Sequence, residues 1–115
     1  MAERRMFSTR VVSTDRFNHL SDKAQLLYFH LGMLADDDGF IESAELVLER
    51  KGMTQSVLNE LIEAKLVYLF SSGVIVIRHW KAQNTIRANL YKPTFCQDEL
   101  AMLEEHISGV YTLKS

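Results

Sequence analysis

The chain has 115 residues, 47% of them hydrophobic and 24% charged, with a single proline and a net charge of −2. That suffices for one packed core and not for two, excludes a disordered chain, and needs no disulfide staple. The lone Cys96 has no partner within the chain, no apolar run approaches bilayer length, and Met1-Ala2-Glu3-Arg4-Arg5 has no apolar signal segment behind it, so a cytoplasmic protein without membrane contact is expected.

Ser21 stands as an N-cap, and Ala24, Leu27, Tyr28, Leu31 and Leu34 follow at helical spacing, which predicts a helix over 22–35. Leu26, Phe29 and Met33 extend its apolar character almost all round. Such a helix serves as the central core helix or as half of a contact between copies, with core burial the first expectation. Asp36-Asp37-Asp38-Gly39 breaks it, Phe40-Ile41-Glu42 reads as a short strand, and Ser43 caps a second helix that ends at Gly52. A third helix follows with Thr54 as its N-cap. It has Val57, Leu58, Leu61 and Ile62 on one face and Gln55, Ser56, Asn59, Glu60 and Glu63 on the other.

From Leu66 the period changes. Leu66-Val67-Tyr68-Leu69-Phe70, a turn at Ser71-Ser72-Gly73, and Val74-Ile75-Val76-Ile77-Arg78 predict a β-hairpin. Residues 82–93 are basic and irregular. Thr94 and Gln97 then have the spacing of a capping box, and Leu100, Leu103 and Ile107 predict a C-terminal helix over 95–107. Helix, short strand, helix, helix, strand, turn, strand is the element order of a winged helix-turn-helix. The expected fold is therefore mainly α with a small β-hairpin (α+β): one winged-helix domain over 1–115, its core at 14–81, with an additional C-terminal helix.

Catalysis has no visible carrier, and no cofactor is expected. The chain lacks a Gly-rich phosphate loop and a nucleophile elbow, its carboxylates form no acid–base pair, and Cys96 reads as a packed thiol. His19, His30, His79 and His106 are too scattered for a metal site. Asp36, Asp38, Gly39, Ile41 and Glu45 match positions three, five, six, eight and twelve of a calcium loop. Position one would be Leu34, which offers no oxygen ligand, so a helix-ending turn with glycine at the bend is the expectation.

Charge is unevenly placed. Residues 36–64 hold eight acidic and two basic side chains, whereas residues 65–97 hold five basic ones, Lys65, Arg78, Lys81, Arg87 and Lys92, and no carboxylate. That segment is the candidate electropositive surface. As the recognition helix of such a fold, the third helix offers Gln55, Ser56 and Asn59 to base edges, but no Arg, while Glu60 and Glu63 oppose phosphate. DNA affinity is expected mainly from Arg78, His79, Lys81, Arg87 and Lys92, with Arg4, Arg5 and Arg10 as an N-terminal arm. Trp80 and Tyr91 interleave with these charges; stacking on unpaired bases is one reading, and packing is the preferred one for Trp80.

Six blocks in order carry a family resemblance: Ala2-Glu3-Arg4-Arg5-Met6-Phe7-Ser8, Tyr28-Phe29-His30-Leu31-Gly32-Met33, Ala35-Asp36-Asp37-Asp38-Gly39-Phe40, Gly73-Val74-Ile75-Val76-Ile77, His79-Trp80 and Tyr91-Lys92-Pro93-Thr94. Over about residues 2–105 the chain resembles the N-terminal domain of phage replisome organisers. These are replication-initiation proteins of phages and prophages of Gram-positive bacteria, akin in this domain to DnaD-type primosome proteins. The resemblance implies a winged-helix domain that binds origin DNA, duplex or single-stranded, self-associates, and helps recruit the host helicase or helicase loader. The chain keeps Arg87 but reads Ala88-Asn89-Leu90 where the family pattern carries further charge. The alternatives are a protein-interaction or oligomerisation module of the primosome, with acidic helices at 43–63 and 95–107 facing partners, and a small winged-helix transcriptional regulator.

Overall fold

Hydroxyl caps set where the helices begin in the computed structural model, which describes residues 4–114. Ser8 Oγ accepts from the Arg10 N–H at the start of α1 (Thr9–Val12), and Thr14 Oγ1 accepts from the Phe17 N–H at the start of α2 (Asp15–Asn18). Ser21 caps α3 (Asp22–Leu34) through the Ala24 N–H, and Ser43 caps α4 (Ala44–Lys51) through the Leu46 N–H. Gly52 ends α4 in the left-handed conformation, at φ 64°. Thr54 departs from its expected role. It stands at the N-cap of α5 (Gln55–Glu63), but its hydroxyl lies 2.7 Å from Ser56 Oγ and takes no backbone N–H.

Three strands form one antiparallel sheet in the order β1 (Phe40–Ile41), β3 (Ile75–Ile77), β2 (Val67–Leu69), with Phe40 opposite Val76 and Val67 opposite Ile77. The central strand is buried at all three positions, which is why Ile75-Val76-Ile77 shows no polar alternation. Helix α3 packs on α5, and Leu27, Tyr28, Leu31, Leu58, Leu61 and Leu66 fill the space between them and the sheet. The hairpin turn folds back: Gly73, at φ 90°, gives its carbonyl to the N–H of Ala44 at the start of α4.

The chain is thus an α+β fold, and its C-terminal part differs from the expectation. Residues 95–107 do not form one helix. A single turn, α7 (Gln97–Leu100), leads into an antiparallel hairpin of β4 (Leu103–Glu105) and β5 (Tyr111–Leu113). Long-range partners outweigh the helical spacing of Leu100, Leu103 and Ile107. The Tyr111 N–H donates to Arg78 O at 2.7 Å, the Tyr111 hydroxyl donates to Asp38 O at 2.8 Å, and the Ala82 N–H donates to Gly109 O at 3.0 Å. A continuous helix would forfeit all three, while Ile107, which would belong to its apolar stripe, lies fully exposed at the turn. One further turn, α6 (Trp80–Gln83), stands at the edge of the segment expected to be irregular.

Candidate nucleic-acid interface

The Asp36-Asp37-Asp38-Gly39 turn is the junction of the molecule. Asp36 Oδ1 accepts from the N–H groups of Asp38 and Phe40, closing the turn, and its other oxygen takes the hydroxyl of Thr94. Asp37 Oδ1 accepts from Arg5 Nη2 at 3.2 Å and Oδ2 from the Lys92 N–H at 3.0 Å. Asp38 gathers Lys81 Nζ at 2.9 Å, the Tyr91 hydroxyl at 2.7 Å and the Thr94 N–H at 2.9 Å. Trp80 completes the junction, its indole N–H donating to Asp37 O at 3.0 Å. Burial pushes the Asp38 carboxyl up, but the Tyr91 hydroxyl, the Lys81 ammonium and the Thr94 N–H outweigh it and hold the group below its ordinary value. The same contact raises the Tyr91 phenol, whose burial is the larger cause.

This junction divides the basic residues named from the sequence. Arg5 is not an exposed arm: its side chain is 2% exposed, paired with Asp37, bonded to Ala35 O at 2.8 Å, and lies 5.2 Å from the Trp80 ring centroid. Lys81 is committed to Asp38 and lies 5.2 Å from the Tyr91 ring centroid. His79 is half-buried, with Nδ1 shielded and without a hydrogen-bond partner among the described residues. Its pKa is lowered by burial first, then by the Arg16 and Arg78 guanidiniums, so it is neutral at pH 7 and brings no charge to a phosphate.

The remaining cations are exposed, apart from Arg78, which is partly buried. Arg78 sits at the hairpin base, its guanidinium held by Tyr111 O at 3.2 Å and Lys65 O at 3.3 Å, two carbonyls that leave its charge unneutralised. Lys65 and Arg16 are exposed, and the Arg16 guanidinium is near enough to join Arg78 in depressing His79. Arg87 and Lys92 are exposed on the loop after α6, where the Arg87 carbonyl closes a turn by accepting from the N–H groups of Leu90 and Tyr91. Arg4 and Arg10 are also exposed. None of these forms an ion pair among the described residues. Arg16 was absent from the sequence-based set, because only the fold carries α2 to His79.

On α5 the three base-reading candidates share one exposed face, with Gln55 Nε2 bonded to Asn59 Oδ1 at 3.1 Å and Ser56 bonded to Thr54. Glu60 does not oppose phosphate freely: its carboxylate accepts the N–H and the hydroxyl of Ser21 at the start of α3, and these two bonds lower its pKa. A cleft of about 270 Å³ between Asp37, Lys81, Asn84, Ile86 and Tyr91 adjoins the Arg87 loop. Cys96 is buried, and burial raises its thiol pKa, so it has the character of a packed side chain. No helix among the described residues is long and apolar enough to cross a membrane.

Comparison with protein-family models, with curated proteins and with solved structures gave no match to this chain.

Proposed function

We propose that this is a non-enzymatic, DNA-binding winged-helix domain acting in phage or prophage replication initiation. The observation that carries the reading is a set of cations without carboxylate partners among the described residues, the exposed Arg16 and Lys65 and the partly exposed Arg78 at the hairpin base and the exposed Arg87 and Lys92 on the following loop; α5 separately exposes Gln55, Ser56 and Asn59. Packing of α3 on α5, with α4 between them in sequence and a three-stranded antiparallel sheet closing the unit, supports the winged-helix assignment. Resemblance to phage replisome organisers supplies the biological setting: origin DNA as ligand, with the host helicase or helicase loader as partner. A winged-helix transcriptional regulator would share the DNA contacts and lack the helicase partner.

A second reading, an interaction module of the primosome, is favoured by the commitment of Arg5 and Lys81 to buried aspartates. An anisotropy titration with duplex and single-stranded DNA over a salt series separates the two. DNA binding requires an affinity that falls with salt, with a slope of about −0.9 per duplex phosphate contacted and about −0.7 per single-stranded one. Charge reversal at Lys65 and Arg87 must then weaken binding. Absence of binding at low salt refutes the DNA reading.

A further inference from the structure

The cleft beside the Asp36-Asp37-Asp38 turn holds about 270 Å³ and is lined by Asp37, Lys81, Asn84, Thr85, Ile86 and Tyr91. Its lining combines an aromatic ring and an aliphatic side chain with a few polar groups, and much of it is fixed in advance. The Tyr91 hydroxyl lies 2.7 Å from both oxygens of Asp38, which holds the ring by its polar end while the residue stays 37% exposed. Asn84 is pinned in turn: Oδ1 accepts from the Met6 N–H at 2.8 Å, and Nδ2 donates to Met6 O at 3.2 Å. Walls already ordered lose little freedom when a ligand enters.

Charge and size select the ligand. Asp37 is paired with Arg5 and Asp38 with Lys81, so the carboxylates at the cleft are already offset. Arg87 and Lys92 each follow a lining residue, Ile86 and Tyr91, and both are exposed without an ion pair among the described residues. Two free positive charges match the charge of about −1.5 to −2 on a phosphate monoester. Lys81 uses one of its three N–H donors on Asp38 and keeps two. Its Nζ lies 5.2 Å from the Tyr91 ring centroid, so a base resting on that ring has the ammonium beside its edge. An ammonium only donates, so it selects a keto oxygen over an amino group. The volume falls just under the ~300 Å³ at which pockets for drug-sized ligands begin, room for one nucleoside and not for a base pair.

We infer that this cleft binds one unpaired nucleotide, its keto base between Tyr91 and Ile86, the carbonyl remote from the sugar accepting from Lys81, and the phosphate on Arg87 and Lys92. The nucleotide is a free nucleoside monophosphate or one unit of a single strand, and only the second form rests on the DNA reading above.

Amide chemical shifts of the whole chain, titrated with deoxyuridine 5′-monophosphate up to about 20 mM, test it. Saturable shifts are expected at Thr85, Ile86 and Tyr91. Deoxycytidine 5′-monophosphate, whose base carries an amino group in place of that carbonyl, and deoxyuridine without phosphate should each bind at least about fivefold more weakly. Thr85 is exposed and its hydroxyl bonds to nothing among the described residues, so Thr85→Trp fills the cleft in a folded chain, verified by circular dichroism, and raises the dissociation constant about tenfold or more. Lys81→Met should abolish the preference for the keto base; if that variant unfolds, Thr85→Trp and the ligand series decide. Absence of saturable shifts, equal affinity for the two bases, or indifference to Thr85→Trp overturns the inference.

A second titration, with oligothymidylate of about eight nucleotides, separates the two sources. Shifts at the same amides put a strand in the cleft. Cleft shifts from the monophosphate alone assign a free nucleotide, whether or not the oligomer binds elsewhere. An oligomer that binds while neither ligand moves the cleft amides overturns the inference and leaves the DNA reading standing.

Discussion

Replacing Asp38 by Ala removes one carboxylate and strands three donors, whose surroundings fix the cost. Thr94 is buried, so its N–H cannot turn to water, and an unsatisfied buried donor costs about 1–3 kcal/mol. Lys81 and Tyr91 are partly exposed and rehydrate, so each forfeits only about 0.5–1 kcal/mol of net interaction. The total is about 3 kcal/mol, a large part of the ~5–15 kcal/mol that holds a domain together, and it lowers Tm by roughly 10 °C. Urea unfolding followed by circular dichroism measures it, with an unchanged m-value showing that the cooperative unit is intact. Asp38→Asn keeps a carbonyl oxygen for the Thr94 N–H and should cost about half as much. Titration gives an independent check. Because the Asp38 pKa is lowered from its ordinary 3.8, its contribution is present above that value and is lost as pH falls through the lower folded value. The wild-type acid limb therefore steepens there, whereas Asp38→Asn lacks that component and runs parallel to wild type above about pH 5. A loss below about 1 kcal/mol for Asp38→Ala, or identical acid limbs, refutes the role given to this junction.

The other predictions concern packing at either side of that turn. Gly39 has φ 90°, and a Cβ there would lie 2.5 Å from Trp80 Cγ, so Gly39→Ala should cost more than about 3 kcal/mol and, by displacing the buried indole toward water, red-shift or broaden the Trp80 emission; a near-native melting curve contradicts it. Burial raises the Cys96 pKa, so its thiol should react with an aromatic disulfide at pH 8 at least about tenfold more slowly in the folded chain than in urea. Equal rates would place Cys96 at the surface.

Local chemistry explains which elements the sequence reveals. Ser21, Ser43 and Gly52 end or begin helices by hydrogen bonds and backbone conformations that depend on a few neighbours, and α3, α4 and α5 stand within a residue or so of where those signals put them. The turn at Ser71-Ser72-Gly73 is equally local. The C-terminal hairpin is not. Its decisive bonds join Tyr111 to Arg78 and Asp38, partners 33 and 73 residues away, and nothing in the spacing of Leu100, Leu103 and Ile107 encodes them. Arg5 illustrates the same limit for function. A basic residue near a chain end reads as a solvated arm until the fold brings Asp37, 32 residues away, within 3.2 Å. Long-range pairing thus both changed an element and withdrew a cation from the candidate interface.

That withdrawal also bears on where nucleic acid would approach. Arg78 looks central in the carboxylate-free segment, yet the N–H of Tyr111 on β5 is bonded to its backbone carbonyl, and β5 pairs with β4, which carries the exposed Glu104 and Glu105. Arg78 therefore lies beside an acidic hairpin that the sequence places far away, and neighbouring like charges oppose a phosphate approaching from that side. The Arg87–Lys92 loop also has acidic neighbours, Asp37 and Asp38, but these are buried and already paired with Arg5 and Lys81, which offset their charge. If duplex DNA uses this domain, reversal at Arg87 and Lys92 should flatten the salt dependence more than reversal at Arg78, by about one phosphate contact for each side chain reversed. An equal or larger effect at Arg78 would instead place the phosphates against the hairpin base, with β4 turned away from the duplex.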